Sequence, residues 1–157
     1  MLIIADTSAL IAIATCNGLH WLDTLFDEIR VPQAVYDEAT TSGKPQASAL
    51  RNYLFNKIID IDLSKFIIVA QGLGKGELEA MALYKHQHAD RLLIDDLRAR
   101  KAAVNKDIKI IGSIGVLLLA KDNGLIPSIK PFIDTIQKSG IHIGKPLIQK
   151  ALLLADE

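Results

Sequence analysis

Two short apolar runs, LIIA at 2–5 and LLI at 92–94, each break off directly into an aspartate, Asp6 and Asp95. Continuous apolar runs of this length, without apolar–polar alternation, are what strands buried on both faces require. Both faces of a sheet are covered when helices carry the chain back between parallel strands. The segments between the runs have the matching helical spacing. Asp6-Thr7-Ser8 offers caps for a helix through Thr15, and HWLDTLFDEI (20–29) makes a second, short amphipathic helix. RVPQAVYDEATTSG (30–43) reads as a third, with Pro32 at its first position and Gly43 as its stop. QASALRNYLFNK (46–57) is helical through Ala47, Leu50 and Leu54, and IIDI (58–61) is strand-like.

A Gly-rich turn, QGLGKG (71–76), leads into the helix ELEAMALYKHQH (77–88). RLLID (91–95) and IKIIG (108–112) are strands; LRARKAAVNK (97–106) and SIGVLLLAKDNG (113–124) are helices, the latter ended by Gly124. Two further helices follow Ile126, punctuated by Pro131 and Pro146. The expected fold class is α/β, a three-layer α/β/α arrangement with a central parallel sheet. With 157 residues, half of them apolar, it forms a single domain over 1–157.

Composition narrows the setting. No apolar run reaches membrane-helix length, and the hydrophobic N-terminus lacks a basic leader and is interrupted by Asp6, so no membrane partner is expected. One cysteine, Cys16, permits no internal disulfide, which suits a reducing cytoplasm. The formal net charge is zero but unevenly spread. Residues 1–96 hold 8 basic against 13 acidic side chains, and residues 97–150 hold 10 against 3. Such a split is either an uneven set of solvated helix faces or an acidic site facing a basic bank, as an enzyme acting on polyphosphate backbones would need.

In an open parallel sheet, ligands bind beyond the carboxyl ends of the strands, which is where Asp6 and Asp95 fall. Successive strand residues point to opposite faces. Asp95 is therefore expected to face the cleft, with Asp96 capping the helix from Leu97 or standing at the rim of the site. Two helical acids fit the same edge. Glu38 lies beside the apolar stripe of its helix, and Glu77 opens a helix whose face it shares with Ala80, Met81 and Tyr84. Taken singly, each has a plainer reading: Asp6 as a helix cap, Glu38 and Glu77 as solvated surface.

The motifs LIIADTSALI, VPQAVYDEA, GLGKGELEAMALYK, LLIDDLRARKAA and IIGSIGVLLLAKDNGLI, in this order along nearly the whole chain, resemble the PIN-domain family. The likeness is to the short stand-alone prokaryotic branch akin to VapC-type toxin ribonucleases. It implies a Mg²⁺- or Mn²⁺-dependent endoribonuclease, with catalytic, metal-holding carboxylates on Asp6, Glu38, Glu77 and Asp95. It also implies an RNA substrate, a small antitoxin protein as partner and a homodimer. Many PIN domains place a further acid after the last core strand. Here that place reads GSIG, with Ser113 and no acid, so either Asp95 or Asp96 completes the metal cluster or a second metal binds weakly.

The chemistry agrees with that expectation. Hydrolysing a phosphodiester requires neutralising a multiply charged transition state and producing a nucleophile from water near neutral pH, both of which a hard cation supplies. Carboxylates without His or Cys select such cations over zinc. Arg98, Arg100 and Lys101, just after the paired aspartates, are candidates for holding RNA phosphates or are a solvated basic face. Thr7 and Ser113 are candidates for supporting hydrogen bonds or plain caps. GLGKGE lacks the Gly-Lys-Ser/Thr ending of a phosphate loop and reads as a turn. His86 and His88 point to different faces of a helix and do not make a zinc site. A phosphoacceptor receiver domain also gathers acids at strand ends, but it needs an acidic pair after the first strand and a lysine after the last, and the chain has neither. A PIN-like fold that binds without cleaving is the remaining alternative.

Overall fold

The computed structural model describes residues 1–65 and 72–157. Among these, strands β1 (Leu2–Ala5), β2 (Glu28–Pro32), β3 (Ile58–Ile59), β4 (Arg91–Leu93) and β5 (Ile110–Ile111) form one sheet in the order β3-β2-β1-β4-β5. Every pairing is parallel. The helices are α1 (Thr7–Thr15), α2 (Leu19–Leu25), α3 (Gln33–Ala39), α4 (Ala47–Leu54), α5 (Lys75–His86), α6 (Leu97–Asn105), α7 (Ser113–Asp122), α8 (Lys130–Lys138) and α9 (Lys145–Leu154). α5 packs across β1, β2 and β4, and α6 on β5, while α1 packs with α7. Right-handed crossovers between parallel strands place these two groups on opposite faces of the sheet, which gives the expected α/β/α sandwich. Gln71, the first residue of the Gly-rich turn, lies outside the described residues.

One element differs from the sequence reading. Glu28 and Ile29 were expected to end a helix and Pro32 to begin one, yet Glu28–Pro32 is the strand between β1 and β3, with Ile3 opposite Ile29 and Pro32 opposite Ile59. The pattern has period two: Ile29 and Val31 are buried, whereas Glu28 and Arg30 are more exposed and form an ion pair. Pro32 is tolerated because it is the last residue of the strand and serves as the N-cap position of α3, which starts at Gln33.

The centre of the sheet is entirely apolar. Ile3, Ile4, Ala5, Leu92 and Leu93 have no exposed surface, and Met81 and Leu83 of α5 are likewise sealed. From β1 the chain proceeds outward through β2 and β3, then returns to β4 on the other side of β1. Strand order therefore reverses between β1 and β4, the point where open α/β sheets leave a crevice at their carboxyl edge. Asp6 follows β1 and Asp95 lies just beyond β4, so both stand at that crevice.

Because Ile4 is fully buried in the strand that carries Asp6, Ile4→Ala is expected to cost about 3–4 kcal/mol in urea unfolding through lost burial and the cavity left behind. A loss below about 1 kcal/mol would contradict this assignment of the core.

Candidate active site

Asp6 is 2% exposed. Its amide donates to the Leu93 carbonyl at 2.8 Å, which extends the β1–β4 ladder by one residue and fixes where its side chain starts. It occupies the N-cap position of α1, yet its carboxylate makes no capping hydrogen bond. Oδ2 accepts the Ser8 hydroxyl at 3.2 Å; Oδ1 is buried without a hydrogen-bond partner among the described residues. Burial first, and the nearby charge of Glu77 second, push the Asp6 carboxyl up to about 6, with the Thr7 and Ser8 amides and the Ser8 hydroxyl easing the shift.

Ser8 joins Asp6 to the other strand end. Its Oγ accepts the amides of Asp95 at 3.1 Å and Asp96 at 3.3 Å. A hydroxyl has one proton and two lone pairs, so two incoming N–H donors direct its proton to Asp6. Asp95 turns toward α7: Oδ1 accepts the Ser113 amide at 2.7 Å, and Oδ2 accepts the Ser113 hydroxyl at 2.6 Å. Asp96, one residue on, is the N-cap of α6 and accepts the Ala99 amide at 2.9 Å. Of the two roles open to Asp96, cap or ligand at the rim, its carboxylate fills the first.

The helical acids approach from α3 and α5. Glu38 is exposed overall, but its Oε2 accepts the Thr7 hydroxyl at 2.9 Å, beside Asp6 in sequence. A Cβ placed on Gly76 would lie 3.0 Å from either oxygen of the same carboxylate, so Glu38 also rests against the first turn of α5. The next residue is Glu77, half-buried, whose Oε2 accepts the Gly74 amide at 2.7 Å. Thr7 and Ser113, expected as supporting residues, thus each hold one of the acids. The edge of the sheet gathers Asp6, Glu38, Glu77 and Asp95, each engaged by at least one protein donor, Asp6 through Oδ2 alone. Among the described residues no three acidic side chains are close enough to close around one ion.

A family model for the PIN domain matches residues 2–157. The chain belongs to the PIN-domain family. PIN domains are generally nucleases and typically use divalent metal ions. No curated protein and no solved structure matches the chain.

As a PIN domain, the molecule has donor chemistry that suits a hard divalent cation: oxygen ligands only, with Asp6 Oδ1 buried and unpartnered and its carboxyl raised first by burial and then by Glu77. A cation there would remove the cost that the protein bears in its absence. Asp6 and Glu77, whose charges act on each other, would hold it, and Glu38 would join them only by moving in; the two glutamates have oxygens outside the bonds to Gly74 and Thr7 to offer. Both Asp95 oxygens are already taken up by Ser113.

The basic residues divide. Arg98 Nη1 donates to the Gly72 carbonyl at 3.5 Å, and Arg100 Nη1 to the Ile94 carbonyl at 3.3 Å, beside Asp95 and Gly112. Lys101 is exposed on α6, next to Leu97 and Val104. A groove of about 670 Å³ opens beside Asp95, lined by Ile111, Leu118 and Ile143 together with Arg100 and Lys150. Among the described residues no helix is long and apolar enough to cross a membrane.

Two residues of this PIN domain were missed from sequence. Ser8 was grouped with the caps, although its position two after Asp6 puts it on the first turn of α1, facing the β4–α6 turn. Glu79 is 6% exposed, and its Oε1 accepts the Ala34 amide at 3.2 Å, tying α5 to the start of α3. The signal was available: five apolar residues follow Glu79 without a break, which marks a helix buried nearly all round.

Because the Asp6 carboxyl is raised in the folded state, the native protein binds this proton more tightly than the unfolded chain does. The associated stability is fully present below about pH 4 and is lost as pH rises through about 6. The loss is on the order of 3 kcal/mol. In EDTA, Asp6→Asn is therefore expected to raise the melting temperature by several degrees at pH 7.5 and by little at pH 4. Equal melting temperatures at pH 7.5 would show that the carboxylate bears no such cost.

Proposed function

We propose that this PIN domain is a Mg²⁺- or Mn²⁺-dependent endoribonuclease and the toxin half of a toxin–antitoxin pair. The observation that carries the catalytic reading is Asp6, a sealed carboxylate with an unpartnered oxygen and a second acid close enough to raise it. An apolar core does not retain such a group without compensation, and a cation is the compensation its oxygen-only surroundings suit. The sequence order of acids that resembles VapC-type toxins supports the finer assignment to RNA and to a small antitoxin.

In this reading, a bound divalent cation supplies the positive charge that offsets a phosphodiester transition state and lowers the pKa of the attacking water. The chain provides the rest. Asp6 and Glu77 bind the cation, with Glu38 set beside them by Thr7. Ser8, its proton committed to Asp6 Oδ2, leaves Oδ1 as the oxygen directed to the ligand. Arg100, close to Asp95 and the groove, pairs with an RNA phosphate on the approach to the acids; Arg98 and Lys101 extend that positive edge. The groove takes the strand flanking the cut. An antitoxin would act by covering this same edge.

A second reading draws on Asp95, both of whose oxygens are held by Ser113. In this reading that carboxylate never turns to the site, and the domain, without its fourth acid, binds RNA without cutting it. A cleavage assay separates the two. The wild type is expected to cut a single-stranded RNA with Mn²⁺ and not in EDTA, and Asp6→Asn to lower the rate at least 100-fold, the scale of losing a principal electrostatic group. RNA that is bound but left intact at every Mn²⁺ concentration would favour the binding module. The toxin assignment has its own check: inducing the chain alone should arrest growth, and Asp6→Asn should restore it.

A further inference from the structure

The stretch GLGKGE (72–77) is not a phosphate loop, but its last glycine has a task that the turn reading leaves out. Gly76 is buried in the first turn of α5, where alanine would favour the helix more. Its backbone is not in the left-handed region, so no positive φ requires glycine. The space does. The three atoms nearest to a Cβ built there are Oε1 and Oε2 of Glu38 at 3.0 Å and Cδ of Glu38 at 3.1 Å. All three of these nearest atoms belong to one carboxylate.

We propose that Gly76 is a positioning residue: its missing side chain seats the Glu38 carboxylate against α5, next to Glu77 and within reach of Thr7. The inference rests on the reading of these acids as a cation site, and it explains why a helix former is absent from a buried helical position. Glu38 comes from α3 and Glu77 from α5, and the two helices bring their acids together only if the α5 backbone lets a carboxylate lie on it. Alanine at 76 does not block folding, because the atoms it meets are the end of a flexible, exposed side chain that can swing away. What is lost is the seat, and with it the Thr7 hydrogen bond at 2.9 Å. Gly76→Ala therefore separates stability from function, leaving the helix strengthened and the site disordered.

Four proteins test this: wild type, Gly76→Ala, Glu38→Ala and the double variant. In EDTA, Gly76→Ala is expected to raise the melting temperature by a few degrees in the Glu38→Ala background, where the space is vacant. With Glu38 present it should raise it less or lower it. Equal shifts in the two backgrounds would overturn the proposal. With Mn²⁺ added, the thermal shift of Gly76→Ala is expected to need several-fold more metal than that of the wild type. A wild type that responds and a Gly76→Ala variant that responds equally would also overturn it. A wild type indifferent to Mn²⁺ would remove the cation-site reading instead, and the melting comparison in EDTA would still decide the role of Gly76.

Discussion

Asp6 sits at the carboxyl end of β1, the central strand of the sheet, with one carboxylate oxygen lacking any partner among the described residues. Dehydrating a carboxylate there opposes folding, and the half-buried Glu77 adds to the opposition. The surrounding structure is arranged around that cost. The Leu93 carbonyl fixes the backbone of Asp6, Ser8 commits its only proton to Oδ2, and the apolar strands keep water from Oδ1. The protein thus holds a dehydrated carboxylate in a defined place, which is what the proposed cation site requires.

Positioning of the other acids follows a common rule: each is held by a neutral donor, from another helix for Glu38 and Asp95 and from the cap of its own helix for Glu77. Thr7 of α1 holds Glu38 of α3, the Gly74 amide holds Glu77 of α5, and Ser113 of α7 holds Asp95 beyond β4. Hydroxyls and amides steady a carboxylate without neutralising it, so the negative potential at the edge persists. Lysine or arginine at the same places would form ion pairs and compete with a cation. The basic residues are kept back, with Arg98 and Arg100 bonded to main-chain carbonyls. Glu79 does the corresponding work for the scaffold, bracing α5 against the first turn of α3 so that Glu38 and Glu77 keep their relative places.

Most of the architecture was legible because parallel strands buried on both faces leave a plain trace: LIIA, LLI and II are apolar without interruption, and the segments between them carry helical spacing. β2 was not legible, since EIRVP is short, polar at alternate positions and ends in proline, a residue equally at home at the start of a helix. For the site, the sequence order of acids located the edge, but which oxygen meets which donor depends on distances between elements far apart in the chain. Ser8 reaches Asp95 across 87 residues, and Glu79 reaches Ala34 across 45. Gly76 shows the same limit from the other side: a missing side chain has meaning only when its neighbour in space is known.

The most direct measurement is a crystal structure of the wild-type protein soaked with Mn²⁺ at pH 7.5, with anomalous data collected at the manganese edge. A manganese peak bonded to Asp6 Oδ1, with Glu77 or Glu38 completing its protein ligands, is the result expected if the buried oxygen exists to hold a cation. Density that leaves Asp6 Oδ1 bare, with manganese absent or bound elsewhere on the surface, would contradict it.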